Sequence, residues 1–169
     1  MIQIRPFDLL AINENGRYYY CLALSDQIMA GGQLVYAFYY TSESVVTAGV
    51  LLSDHPQGFH RIVDFIAAKR SGSLTRIAAK VTATHLDNVQ FFRQDGPTFG
   101  LDRTWAIWDR EGSLVRRPVE LTVDEWSYPI FVCSLHSSMC EQIDQRWHPS
   151  HDRAGANNSF KPNPLRGSA

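Results

Sequence analysis

Residues 7–40 read FDLLAINENGRYYYCLALSDQIMAGGQLVYAFYY, and this stretch decides the fold. Asn15-Gly16 separates two apolar runs, and Asn-Gly favours a hairpin because both residues accept positive φ and their twist matches that of paired strands. The second run covers Arg17–Ser25, and after a Gly31-Gly32 break a third covers residues 34–40. The three runs predict three consecutive strands.

The second and third runs are apolar at both alternating positions and rich in aromatic residues, which suit a pleated surface. This pattern is typical of strands that are covered on both faces. We therefore expect central strands whose side chains form a core, with Leu22, Tyr36 and Phe38 buried. The stretch carries no catalytic chemistry and is interpreted as a scaffold.

The chain has 169 residues, of which 44% are hydrophobic. This predicts one domain over residues 1–147, followed by a Pro-, Asn- and Gly-rich tail over 148–169 that is too poor in apolar residues to order itself. The start of the sequence does not resemble a secretion signal, and no apolar run approaches the ~20 residues that span a bilayer. With an odd count of three cysteines, these features predict reduced thiols, a cytoplasmic protein and no membrane association.

The charge is distributed unevenly along the chain. Four basic residues and one acidic residue from Arg146 onward give +3, and the remaining twelve basic and sixteen acidic residues give −4. A mildly acidic body disfavours nucleic-acid binding and suits a basic partner. A charge of −4 is also ordinary for solubility, so it does not decide between partners.

The pattern over residues 55–72 predicts the main helix. Ser53 or Asp54 caps it, Pro56 lies in its first turn, and Gly72 ends it in the left-handed conformation. One buried face is predicted from helical spacing, with these members: Phe59, Ile62, Val63, Ile66 and Ala67.

Further elements complete the prediction. Residues 44–52 are loop or strand, 76–84 favour a strand over a helix, and 90–92 are extended. A second hairpin covers 104–109 and 114–117, a capped helical turn follows at 122–125, and a strand covers 128–135. A short helix then runs from Ser137 or Ser138 to about Trp147. The predicted fold class is α+β, with a strongly bent, mostly antiparallel sheet, one main helix and a short C-terminal helix.

One cluster in the sequence has the spacing of metal ligands: Cys133, His136, Cys140, His148 and His151. A cysteine nucleophile with His136 is a second interpretation. Against the metal site, Cys133 falls in an apolar strand and is expected to be a core thiol. Against the cysteine nucleophile, the sequence shows no local signature and no obvious orienting acid. The phosphate-binding, dinucleotide, hydrolase and zinc-protease motifs are also missing from the sequence. We therefore predict a protein that is not an enzyme and that uses no metal or cofactor.

Tyrosines 18–20, 36 and 39 are the residue type on which small barrels stack nucleic-acid bases. No cluster of Lys and Arg accompanies them, which favours core positions. A nucleic-acid-binding small barrel is kept as the alternative function, and direct nucleic-acid binding is not expected.

Acidic residues gather around the second hairpin, near Trp105, Trp108 and Trp126. Aromatic side chains anchor interfaces and acids steer a partner of opposite charge, although a solvated rim explains the acids equally well. The candidate partner-binding residues are Asp95, Asp102, Trp108, Asp109, Glu111, Glu120, Asp124 and Glu125.

Several short stretches, in this order, resemble the twenty-sixth immunity-protein family of bacterial polymorphic toxin systems. They are Phe7–Ile12 with Asn15–Tyr18, Val35–Tyr39, Phe91–Asp95, Trp105–Asp109, Arg117-Pro118 and the stretch after Tyr128. The likeness covers most of residues 7–146 and leaves out 57–71 and the tail. It implies a non-enzymatic antidote that blocks a cognate toxin by tight binding, without catalytic residues. A basic, nuclease-like toxin domain would suit the acidic cluster.

Overall fold

The computed structural model describes residues 2–29, 31–95 and 104–151. Its nine described strands form two sheets, and the fold class is α+β with mostly antiparallel strands, as predicted. The strands are β1 Leu9–Glu14, β2 Arg17–Met29, β3 Gly32–Ser42, β4 Gly58–Asp64, β5 Leu74–Ala78, β6 Phe91–Asp95, β7 Trp105–Asp109, β8 Leu114–Arg116 and β9 Cys133–Leu135. The helices are α1 Ile66–Ser71 and α2 His136–Asp144.

The larger sheet has the strand order β5-β1-β2-β3-β4-β9, and the smaller sheet has the order β6-β7-β8.

The Asn-Gly hairpin is confirmed. Asn15 and Gly16 have φ angles of 53° and 82°, and Glu14 pairs with Arg17 across the turn. Positive φ at both positions is what a two-residue hairpin loop of this type requires. β2 then pairs with β3, and β3 with β4, all antiparallel; β9 joins β4 in parallel.

The central strands are buried on both faces, as predicted. Leu22 and Phe38 have no exposed area and Tyr36 is 8% exposed. One core lies under α2, whose Met139, Cys140 and Ile143 pack on that face. The opposite core is closed by residues of the connecting segments and of β6: Leu51, Ala83, Leu86, Val89 and Phe92.

The main helix predicted over residues 55–72 is wrong in its first half. Residues 58–64 form β4, and the helix is the short α1 that follows. Phe59 and Val63 pack in the core beneath α2 while Ile62 packs in the opposite core. A strand covered on both faces is apolar at successive positions, so its sequence also satisfies the spacing of a helix. The predicted end is right, because Gly72 has a φ of 76° after the last helical residue.

Other boundaries also differ from the prediction. Residues 50–54 form a single π-helical turn rather than a strand, and the predicted strand over 128–135 is reduced to β9. Before it, Ile130 makes only an isolated bridge to Arg93. The second hairpin, the turn at 122–125 and the short C-terminal helix are all present.

The predicted tail begins later than residue 148. Residues 149–151 form a 3₁₀ turn, and Pro149 is buried. The remainder of the tail lies outside the described residues. No helix in the described part of the chain is long and apolar enough to cross a membrane.

Candidate partner-binding surface

The second sheet holds most of the predicted site residues, and β8 is its free edge. β6 pairs with β7 from Phe91–Asp109 to Asp95–Trp105, and β7 pairs with β8. The other side of β6 is occupied, because the Arg93 N–H donates to the Pro129 carbonyl at 2.9 Å and its carbonyl accepts from Phe131. Among the described residues no strand pairs with the outer side of β8, and the β8 residues are all exposed.

The side chain of Arg93 holds the inner side of this sheet in place. The sequence analysis did not single out this residue. Its side chain is 2% exposed. The guanidinium donates from Nε to the Tyr128 carbonyl at 3.2 Å and from Nη2 to the Pro149 carbonyl at 2.7 Å. It also lies 5.0 Å from the ring of Trp126 and 5.7 Å from that of Trp105. Charge-assisted hydrogen bonds and cation–π contacts both gain strength away from water.

Glu125 is buried, which corrects the expectation that the turn acids are exposed. It is 4% exposed, and its Oε2 accepts from the Thr122 N–H at 2.8 Å. The Thr122 hydroxyl oxygen in turn accepts from the Glu125 N–H, so the two residues cap the turn reciprocally. Its other carboxylate oxygen forms an ion pair with Arg116 on β8. Glu125 therefore holds the 122–127 turn against β8.

The tryptophan side chains make packing contacts within the protein. Trp108 is half-buried, stacks on Phe131 with 5.2 Å between ring centroids, and donates from Nε1 to Gln94. Trp126 is buried and meets Trp105 edge to face. Packing contacts therefore occupy part of each ring, and Trp105 and Trp108 are half-buried.

The remaining acids divide into two groups. The half-buried Asp109 accepts from the Ser113 N–H at 2.7 Å and shapes the β7–β8 turn. Glu111, Glu120 and Asp124 are exposed. The predicted Asp102 lies outside the described residues, as does the side chain of Asp95.

Exposed apolar residues beside these acids were missed by the sequence analysis. The exposed fractions are 40% for Leu114, 50% for Val115, 73% for Val119 and 69% for Val123. Single exposed apolar residues are ordinary, but four within ten residues make this stretch a candidate interaction surface. Repeated apolar residues within LVRRPVELTV, in a stretch too short and too broken for a central strand, were the available signal.

The apolar residues and the acids belong to one region. The Trp105 N–H donates to the Pro118 carbonyl, which keeps the chain after β8 on the edge of the sheet. The Arg116–Glu125 ion pair brings the following turn back beside β8. We call this region the β8 surface, and its members are Leu114, Val115, Val119, Val123, Glu111, Glu120 and Asp124.

An open cleft of about 460 Å³ lies next to the Glu111 end of the β8 surface. The segment Asp87–Phe91 forms one wall and Asp109–Glu111 the other. Arg110 bridges the two walls through an ion pair of 2.8 Å with Asp87. The cleft widens the region that a partner can contact without offering an enclosed small-molecule pocket.

The cysteines and histidines do not assemble into the cluster that their spacing suggested. Among the described residues, no three His, Cys, Asp or Glu side chains are placed to hold a metal ion. Cys21 and Cys140 are buried; burial raises the pKa of both thiols, that of Cys140 to about 12. The pKa of the half-buried Cys133 is raised too, mainly by desolvation. Since the thiolate is the nucleophile, these thiols are poorly suited to catalysis.

The chain has no match among known proteins that would assign its function. No protein-family model matches it, and neither curated proteins nor solved structures gave a match. The resemblance to the immunity family therefore rests on the sequence stretches quoted above.

Three of the five tyrosines considered for base stacking lie in the two cores: Tyr19, Tyr20 and Tyr36. Tyr18 and Tyr39 are half-buried, and the Tyr39 hydroxyl is bonded to the Trp147 carbonyl. A buried ring cannot stack on nucleic-acid bases, so the three core tyrosines are not part of such a surface.

Proposed function

We propose that this protein is a non-enzymatic, cytoplasmic immunity protein of the polymorphic-toxin type, which binds a cognate toxin domain through the β8 surface. The observation that carries the proposal is the exposure of four apolar side chains and three carboxylates on or close in sequence to β8, the edge strand of the second sheet in the described part of the chain. The order of the sequence stretches shared with the twenty-sixth immunity family supplies the class of partner.

Apolar and acidic residues have different roles in this proposal. Burying Val119 and Val123 against a partner removes apolar area from water, at roughly 25 cal/mol per Å². Glu111, Glu120 and Asp124 raise the association rate of a partner with a basic surface. A toxin that acts on nucleic acid needs such a surface to hold phosphate.

The rigid support beneath the surface also favours a binding function. Buried Arg93 and the Thr122–Glu125 pair hold the turn and β8 in fixed positions. A surface that is already ordered loses less conformational entropy when it binds. The nucleic-acid-binding alternative is less well supported, because three of its five tyrosines are buried in the cores.

The proposal is tested by expressing the protein encoded beside this one, alone and together with this chain, in a bacterial host. We expect the neighbouring product to arrest growth and this chain to restore it through a stable complex. The double variant Val119→Asp/Val123→Asp should fail to restore growth, because charged groups at the contact leave desolvated carboxylates.

The matched control is Val45→Asp, which introduces a carboxylate at a residue that is 46% exposed and far from β8 in sequence. It should restore growth as well as the unaltered chain does. A toxic neighbour that neither binds this chain nor is neutralised by it would contradict the proposed function.

A further inference from the structure

The described chain leaves the domain close to the β8 surface. Pro149 is pinned by the hydrogen bond from Arg93, and the 149–151 turn packs against the 125–127 turn. Within that second turn Glu125 is paired with Arg116 of β8. The segment after His151 therefore starts next to the turn that borders the β8 surface.

The composition of that segment complements the surface. Residues 152–169 contain three basic residues and one acid, which gives +2, and their large apolar residues are Phe160 and Leu165. The β8 surface carries three exposed carboxylates, and Arg117 is the exposed cation beside them, since Arg116 is paired with Glu125. The segment and the β8 surface thus carry charges of opposite sign, and both contain large apolar residues.

The connection is long enough for contact. Phe160 is nine residues beyond His151, and nine residues reach at most about 30 Å. Tethering at this distance corresponds to an effective concentration on the order of millimolar, so a weak contact is sufficient.

We propose that residues 152–169 bind the β8 surface of the same chain, with Phe160 and Leu165 covering the exposed valines. A partner that uses this surface must displace the segment. The segment therefore competes with the partner and lowers its apparent affinity. The inference concerns the free protein and holds whatever partner the chain recognises.

The test compares amide NMR spectra of the full chain with those of the full-length variant Phe160→Ser/Leu165→Ser. We expect shift changes at Val115, Val119 and Val123, and none at the exposed Val45 and Ile66, which serve as internal controls. The variant Arg153→Glu/Lys161→Glu/Arg166→Glu should give the same changes, and salt should produce them partly in the unaltered chain.

Three results would overturn the inference: unchanged spectra, changes confined to residues outside the β8 surface, or changes that depend on protein concentration. The last would mean that the segment binds a second copy of the chain. None of these measurements involves a toxin, so a failure here leaves the proposed function intact, and a failure of growth rescue leaves this inference intact.

Discussion

The guanidinium of Arg93 lies 5.0 Å from the ring of Trp126, buried between the second sheet and the turn that carries Glu125. The same guanidinium reaches the carbonyls of Tyr128 and Pro149. One side chain thus joins β6, the 125–127 turn and the end of the described chain. The position of the β8 surface depends on this junction.

Arg93→Met should lower the free energy of unfolding by about 2–4 kcal/mol, because two carbonyls lose charge-assisted donors and two rings lose a desolvated cation. Arg93→Lys should not restore the loss, since a single ammonium does not reproduce the planar fork of donors. Urea unfolding measures both. The control is Arg70→Met on the exposed side of α1, and equal effects at both sites would contradict the junction role.

Phe38→Ala should cost about 3–5 kcal/mol, as expected for a large truncation in a core. Phe38 has no exposed area and meets Tyr36 edge to face at 5.2 Å between centroids. Denaturant unfolding, with exposed Val45→Ala for comparison, checks the value. A cost below about 1 kcal/mol would mean that the core repacks around the missing ring.

Cys21 and Cys140 should resist alkylation in the native protein, because burial raises both thiol pKa values and excludes the reagent. Half-buried Cys133 should react first but more slowly than a free thiol. Mass spectrometry of timed alkylation, with denatured protein as the reference, gives the order. Rapid labelling of Cys140 would instead favour an enzyme with a reactive thiol.

The free energy of unfolding should fall as the pH drops below 6.5. Burial lowers the pKa of His60 from its usual 6.5, and its Nε2 lies 2.7 Å from the Leu86 carbonyl. The unfolded chain therefore takes up a proton at a pH where the folded chain does not. This proton uptake stabilises the unfolded state relative to the folded state as the pH falls.

His60→Gln should flatten the pH dependence of the free energy of unfolding below the usual histidine pKa of about 6.5. Some slope remains because burial also lowers the pKa of His148. The exposed His85, changed to Gln, is the control. An unaltered slope in His60→Gln would show that the histidine is not held neutral by the fold.

The sequence predicted the parts of the fold whose signals are local. Asn15-Gly16 fixes a hairpin by its own conformational preferences, and Gly72 ends α1 for the same reason. It did not predict β4, because the identity of Phe59–Val63 as a strand depends on the neighbouring strands β3 and β9. A pattern that fits two periods is decided by tertiary contacts.

The acidic residues predicted around the second hairpin differ in their exposure. Glu111, Glu120 and Asp124 are exposed as expected, whereas Glu125 is used as a cap and an ion-pair partner. The sequence does not show which acid meets Arg116, since that pair depends on how the turn folds back. The sequence analysis singled out neither Val119 nor Val123, and the structure shows that nothing in the described fold covers them.

The most direct measurement is the association rate of this protein with the product encoded beside it, which the proposed function expects to be the toxin, at low and high salt. The deciding variant is Glu111→Lys/Glu120→Lys/Asp124→Lys. Its matched control is Glu43→Lys/Asp54→Lys/Glu141→Lys, which reverses three exposed acids elsewhere and changes the net charge equally. We predict association about tenfold slower for the first variant at low salt, little change for the control, and a difference that shrinks as salt is added. Equal rates for the two variants would contradict binding through the β8 surface.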